Sequence, residues 1–256
     1  MLRQYIVDAR RVPWKSGQTE GITFRCQVFL SGADGGPEAI RFRFDPCPRV
    51  YAHMHLTSQF QLLLDGFMDF PKSTMKLRPI AIHYADHNLP YGPFSTGDGH
   101  EMLVLHPRAG GLVTMADRAA RKQINLAGRQ LVGMDKDRQW FGVAAIERAR
   151  CKFLIDPGAG PQAIMLQAPP NCTIPGPAPR FGRYEIVLDG SAEFDGQMLA
   201  APGLRYAAGD EPPAPIRTGP QGATLMLVAF DEDALAGGLG EDPLSRAAAA
   251  AIEQAI

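Results

Sequence analysis

Two histidines two residues apart, His53 and His55, are followed by Gln59 and then by Gly66. These are the residues of the chain whose types and spacing are readiest for chemistry. Side chains at i and i+2 of a strand share a face, so a strand there presents both imidazoles to one place. Imidazole is the commonest protein metal ligand, and its charge changes near neutral pH. All six histidines of the 256 residues lie between His53 and His106. On a straight strand Gln59 would lie roughly 13 Å beyond His55, too far to share an ion whose ligand bonds are about 2 Å long. The chain must therefore turn at Leu56-Thr57-Ser58. The spacing predicts a hairpin whose second strand runs from Gln59 to Leu64 and ends at the turn signal Asp65-Gly66. Gln59 and Gln61 then share one face, and Phe60, Leu62 and Leu64 the other.

The stretch from His83 to Pro93 is dense in functional groups. Asp86 and Tyr91 are candidates for catalytic acid, base or substrate anchor. Gln61 and His83 are candidates for lining a substrate pocket. A metal site would take His53, His55 and Gln59, with His87 as the fourth ligand. His83 and His100 are the other sources for that ligand, and His106 reads as structural. Such a site keeps open positions, as catalytic metals do. The donors suit Fe, Zn, Ni, Mn or Cu without choosing among them.

His53, His55 and Gly66 resemble, in register, the first motif of the cupin superfamily, G-x5-H-x-H-x(3,4)-E-x6-G. Gln59 stands where that motif has Glu, and the leading Gly is absent. The second motif, P-x-G-x-x-H, is similar to Pro90-x-Gly92-x-x-Ser95, with Ser95 in place of the ligand histidine. The resemblance implies an all-β fold with any metal inside a barrel mouth. It also implies activities such as those of cupin dioxygenases, decarboxylases, isomerases and epimerases.

The segment Gln59–Phe70 reads almost residue for residue like Arg183–Phe194, 124 residues later. A repeat at half the chain length is a domain duplication, and each half can bury its own core. The expected fold is two tandem double-stranded β-barrels, a bicupin of jelly rolls. Residues 1–115 form the first barrel, 116–141 a helical linker, and 142–256 a second barrel ending in a helix. The second copy carries Pro177 and Pro179 where the first has His53 and His55, and Arg183 for Gln59. It has no histidine, so it offers no such metal site. Arg183 and Glu185 are positioned to pair inside it, or Arg183 to meet an anion.

The remaining pattern supplies the scaffold. Alternation predicts strands over Ile22–Leu30, Glu38–Phe44, Lys76–Tyr84 and Met102–Leu105, then from Gly142 to Ile155, Gln162–Gln167, Tyr184–Leu188, Leu204–Tyr206 and Ala223–Phe230. Ala116–Gln130 is rich in helix formers, and Asp242-Pro243 begins a C-terminal helix. The net charge of −1 and the lack of a basic run give nucleic acid or an acidic membrane no standing attraction. The first residues lack the apolar run of a signal peptide. Cys26, Cys47, Cys151 and Cys172 show no paired spacing and read as free thiols of a cytoplasmic protein.

The expected function is that of a metal-dependent bicupin enzyme acting on a small organic molecule, with dioxygenase chemistry slightly ahead. The alternatives are a metal-free ligand-binding or accessory bicupin, or a metal-independent isomerase or epimerase. The two-sided hairpin also predicts a homodimer.

Overall fold

Alternation sets the first sheet. In Glu38–Phe44 the side chains of Ile40, Phe42 and Phe44 are buried and pack with Phe24. Arg41 and Arg43 turn the other way, lie against the Trp14 ring and share the carboxylate of Glu101. The computed structural model describes residues 5–19, 22–71, 75–116, 118, 120–176, 181–209, 211, 212 and 214–235. They form two units. One comprises residues 13–135 and 233–235, the other residues 5–12 and 136–232.

The first unit is built on a seven-stranded antiparallel sheet. Its order is Gln130–Met134, Ala81–Ala85, Gln59–Gly66, His100–His106, Glu38–Phe44, Ile22–Ser31, Lys15–Thr19. A short pair, His53–His55 with Leu112–Thr114, lies outside that sheet. Its core joins Phe24, Phe42, Leu63, Met68, Tyr91 and Phe94. The second unit repeats the order with Tyr5–Asp8, Gly203–Ala207, Arg183–Phe194, Ile216–Ala229, Gln162–Ala168, Arg150–Ile155 and Phe141–Gly142. Its core joins Val187, Phe194, Leu199, Ile216 and Leu225.

The duplication reaches individual contacts. Gly66 and Gly190 both have positive φ, +77° and +73°, in the left-handed region that favours glycine. A Cβ on Gly66 would lie 2.4 Å from the Gly99 carbonyl oxygen, and one on Gly190 would lie 2.2 Å from that of Gly222. The Thr96 hydroxyl accepts from the Cys47 amide at 2.6 Å, and the Thr218 hydroxyl from the Cys172 amide at 2.8 Å. Register agrees: Gln61 faces His83 as Glu185 faces Arg205.

Several expectations are corrected. The strands His53–His55 and Gln59–Gly66 are not a hairpin. The first pairs with Leu112–Thr114, and the second lies between Ala81–Ala85 and His100–His106. The linking helix over 116–130 is absent among the described residues there, where the only helical element is the 3-10 turn Ala120–Gln123. Its Ala and Arg favour helix, but helix propensity is a weak preference that tertiary pairing overrides. Gln130–Met134 instead closes the edge of the first sheet beside Ala81–Ala85. Lys76–Tyr84 is two strands, Met75–Leu77 and Ala81–Ala85. The expected C-terminal helix and Pro177 and Pro179 lie outside the described residues. All four cysteines are free, and no helix among the described residues is long and apolar enough to cross a membrane.

Candidate functional site

The strand His53–His55 and the start of Gln59–Gly66 bring their side chains to one point, occupied by the hydroxyl of Tyr91. His53 Nε2 lies 2.8 Å from that oxygen and His55 Nε2 3.1 Å; the amide nitrogens of Gln59 and Gln61 lie 2.7 and 3.0 Å from it. Tyr91 is held there by its backbone, which exchanges two hydrogen bonds with His53, at 3.0 and 3.2 Å. All five residues are buried.

The donors and acceptors can be assigned. His53 Nδ1 lies 2.8 Å from the Tyr51 carbonyl, which only accepts, so Nδ1 carries the proton. His53 Nε2 is then an acceptor and takes the Tyr91 O–H. The amides of Gln59 and Gln61 donate to the phenol's two lone pairs. His83 Nδ1 donates to Gln61 Oε1 at 2.8 Å, and Gln130 donates to His83 Nε2 at 2.8 Å. A phenol has one proton and two lone pairs, so this set saturates it and His55 is left over. His55 Nδ1 and Gln59 Oε1 are buried without a hydrogen-bond partner.

Burial keeps these imidazoles neutral. It pushes His53 and His83 down to about 4, with the Tyr51 backbone opposing it at His53 and the neighbouring His53 adding to it at His83. His55 is driven well below the usual value, by burial first and then by His106, His53 and His83. His100 and His106 are also lowered to about 4 by burial, partly offset by the backbone of Phe67 and of Ser58.

His53, His55, Gln59, Gln61 and His100 line a cavity whose other walls include Ile22, Phe44, Val50, Phe94 and Leu112. The space open to water centres is about 40 Å³. One water needs roughly 10–15 Å³ on that measure, so about three waters fit, or a ligand of a few heavy atoms.

The other sequence candidates are placed as follows. His83 reaches the cluster through Gln61. His87 does not join the pair: its backbone amide donates to Ser58, and its ring Nδ1 has no partner. Asp86 turns away to take bonds from Tyr84 at 2.6 Å and from Arg129 at 2.7–3.0 Å. Burial would raise its pKa, but those bonds outweigh it and hold the carboxyl below its usual range. Ser95 bridges to Asp69 by backbone bonds. The geometry supports a different register for the second motif, Asp86-x-Asn88-x-x-Tyr91, with Tyr91 at the place of the ligand histidine. Asn88 has φ +59° where the motif has Gly, and Asn is among the residues that best tolerate that conformation. The signal was Asn88 followed three residues later by Tyr91; the Pro90 and Gly92 pair masked it.

This donor set does not fit a divalent metal. The phenol oxygen takes the meeting point, whereas an ion needs bonds of about 2 Å to each ligand. Gln59 supplies no charge, and among the described residues no three His, Cys, Asp or Glu gather to hold an ion. An ion would bring buried charge into a pocket of neutral groups, which is costly.

The second unit fills the corresponding place with charge pairs. Arg183 and Arg205 both bind the Glu185 carboxylate, and Arg205 also reaches Asp195 at 2.8 Å. Burial would lower the Arg205 pKa, but Glu185 and Asp195 keep it raised. The pairing expected of Arg183 and Glu185 is therefore present, with Arg205 as a third member.

No protein-family model and no curated protein sequence matches the chain. Solved structures do. A provisionally named dioxygenase from Nostoc punctiforme is 12% identical, with a TM-score of 0.65 over 94% of this chain and 87% of that one. Oxalate decarboxylase from Bacillus subtilis is 11% identical, with a TM-score of 0.58 over 89% and 76%. The coconut allergen cocosin is 11% identical, with a TM-score of 0.59 over 90% and 86%. At such identities the likeness concerns the fold, and with the duplicated sheets and the His53-x-His55 motif it gives the conclusion that this chain is a bicupin in architecture.

Proposed function

We propose that the first barrel binds a small uncharged organic molecule in the cavity beside His53, His55 and Gln59, without a metal ion, and that the second barrel is a scaffold copy. The observation that carries this reading is the Tyr91 hydroxyl at the point where four ligand-like side chains meet. Every titratable wall residue is a neutral imidazole or a phenol, so the cavity offers no counter-charge to an ion or a charged ligand. The unpartnered Gln59 Oε1 is an acceptor awaiting a donor, which favours a ligand carrying an O–H or N–H on an apolar body. The apolar remainder of the wall suits that body. The four free cysteines suit a cytoplasmic setting, which is part of the proposal.

The second reading is a metal-dependent enzyme, favoured by the likeness to a provisionally named dioxygenase and to oxalate decarboxylase. It needs Tyr91 to leave its place. Screening small neutral amides and alcohols by protein-observed NMR, with and without a chelator, separates the two. The proposal expects binding that survives chelation and is lost in Gln59→Leu and in Val104→Phe, which fills the cavity from another of its wall positions. Binding seen only in metal-loaded protein overturns it.

A further inference from the structure

We infer that the Tyr91 hydroxyl stands in for a metal ion as the organising centre of the first barrel, and that this one side chain bars a divalent cation from His53, His55 and Gln59. The inference rests on the metal-free reading and adds a cause for it. Four side chains from two strands point at one oxygen within 2.7–3.1 Å. A phenol has three hydrogen bonds to give, and four groups are aimed at it. An ion of four or more positions would serve them all. The convergence therefore has the valence of a coordination sphere, and a three-bond group fills it. His55 carries the mismatch: its Nε2 faces a saturated oxygen and its Nδ1 has no partner.

The backbone leaves Tyr91 little choice. Its amide donates to the His53 carbonyl, and the His53 amide donates to the Tyr91 carbonyl. Its ring lies edge-on to His53 at 4.6 Å and parallel to His55 at 6.1 Å, with an interplanar angle of 10°. A side chain at position 91 is thus aimed at the two imidazoles whatever its identity. A histidine there would end roughly 2 Å short of the phenol oxygen, about the length of one metal–nitrogen bond. Tyr91→His therefore withdraws the plug by one bond length and adds a third imidazole.

The experiment is metal retention by untagged protein after incubation with Zn²⁺, Ni²⁺ or Co²⁺ and desalting, read by plasma mass spectrometry and, for Co²⁺, by visible absorption. Wild type should retain less than about a tenth of an equivalent, and Tyr91→His about one, as a single three-imidazole site requires. The gain should vanish when His53→Ala and His55→Ala are added. Tyr91→Phe keeps the ring and removes the oxygen. It should lower the thermal midpoint with an unchanged far-UV spectrum, because His53 Nε2 and two amides lose their partner.

Wild type retaining one equivalent, lost in the His53→Ala, His55→Ala protein, would overturn the inference. So would a folded Tyr91→His that retains none, or a Tyr91→Phe as stable as wild type. Should Tyr91→His not fold, the wild-type and Tyr91→Phe results still decide. Failure to find a small-molecule ligand would remove the proposed function and leave the metal result standing.

Discussion

Lowering the pH from about 7.5 to about 5.0 should weaken the first barrel selectively. A buried histidine kept neutral binds fewer protons in the native state than in the unfolded chain. Its folded pKa is depressed, so its stabilising effect is full above the unfolded value of 6.5 and is lost as pH falls towards about 4. For a shift from 6.5 to about 4 the loss at pH 5.0 is about 2 kcal/mol per group. His53, His83 and His100 together give up to about 6 kcal/mol, against a typical domain stability of about 5–15 kcal/mol. His106 is left out of this sum, because Glu38 Oε2 lies 3.7 Å from its Nε2 and would receive its charge. Each unit carries one tryptophan, Trp14 in the first and Trp140 in the second. Urea titrations of Trp140→Phe and Trp14→Phe proteins therefore report the two barrels separately. With a urea slope of about 1–3 kcal/mol/M, the Trp14 midpoint should fall by about 2 M or more, while Trp140, in a barrel without histidine, moves less. A Trp14 midpoint that stays within about 0.5 M between the two pH values would refute the assignment of neutral buried histidines.

Glu185→Ala leaves Arg183 and Arg205 buried without their shared carboxylate and should cost about 3–5 kcal/mol, read from the Trp140 urea midpoint. Gly66→Ala forces a Cβ against the Gly99 carbonyl at positive φ and should cost about 1–3 kcal/mol in the Trp14 signal, with Gly190→Ala doing the same in the other barrel. The homodimer expected from the sequence is checked by light scattering, where a mass of 27.8 kDa would reject it.

The sequence held much of this arrangement, and the reasons are local. The alternation in Glu38–Phe44 and the repeat of Gln59–Phe70 in Arg183–Phe194 mark strands by their own side chains, and equivalent strands took equivalent places in the two sheets. The pairing of Arg183 with Glu185 could be read because residues two apart share a strand face. The meeting of His53, His55 and Gln59 followed from the need for a turn at 56–58. Its centre did not, because Tyr91 comes from a loop whose register was hidden by Pro90 and Gly92. The partner of His53–His55 is not legible in the spacing, because a short strand can pair with any edge near it and Leu112–Thr114 is far away in sequence. The linker over 116–141 reads as helical because propensity sees neighbours in sequence and not the waiting edge of Ala81–Ala85, which Gln130–Met134 joins.

The strand Tyr5–Asp8 pairs with Gly203–Ala207, Tyr5 opposite Tyr206. It precedes the first barrel in the chain yet completes the sheet of the second. On the ribosome it emerges before the first barrel and finds its partner only after about two hundred more residues have been added. At about 5–20 residues per second this is a wait of roughly 10–40 s with an unpaired edge. Residues 13–135 meanwhile form a continuous stretch that can close on itself as soon as Gln130–Met134 appears. This strand is therefore made before the first barrel and paired after it, and the second barrel is the half whose assembly depends on keeping that strand free until Gly203–Ala207 has been made.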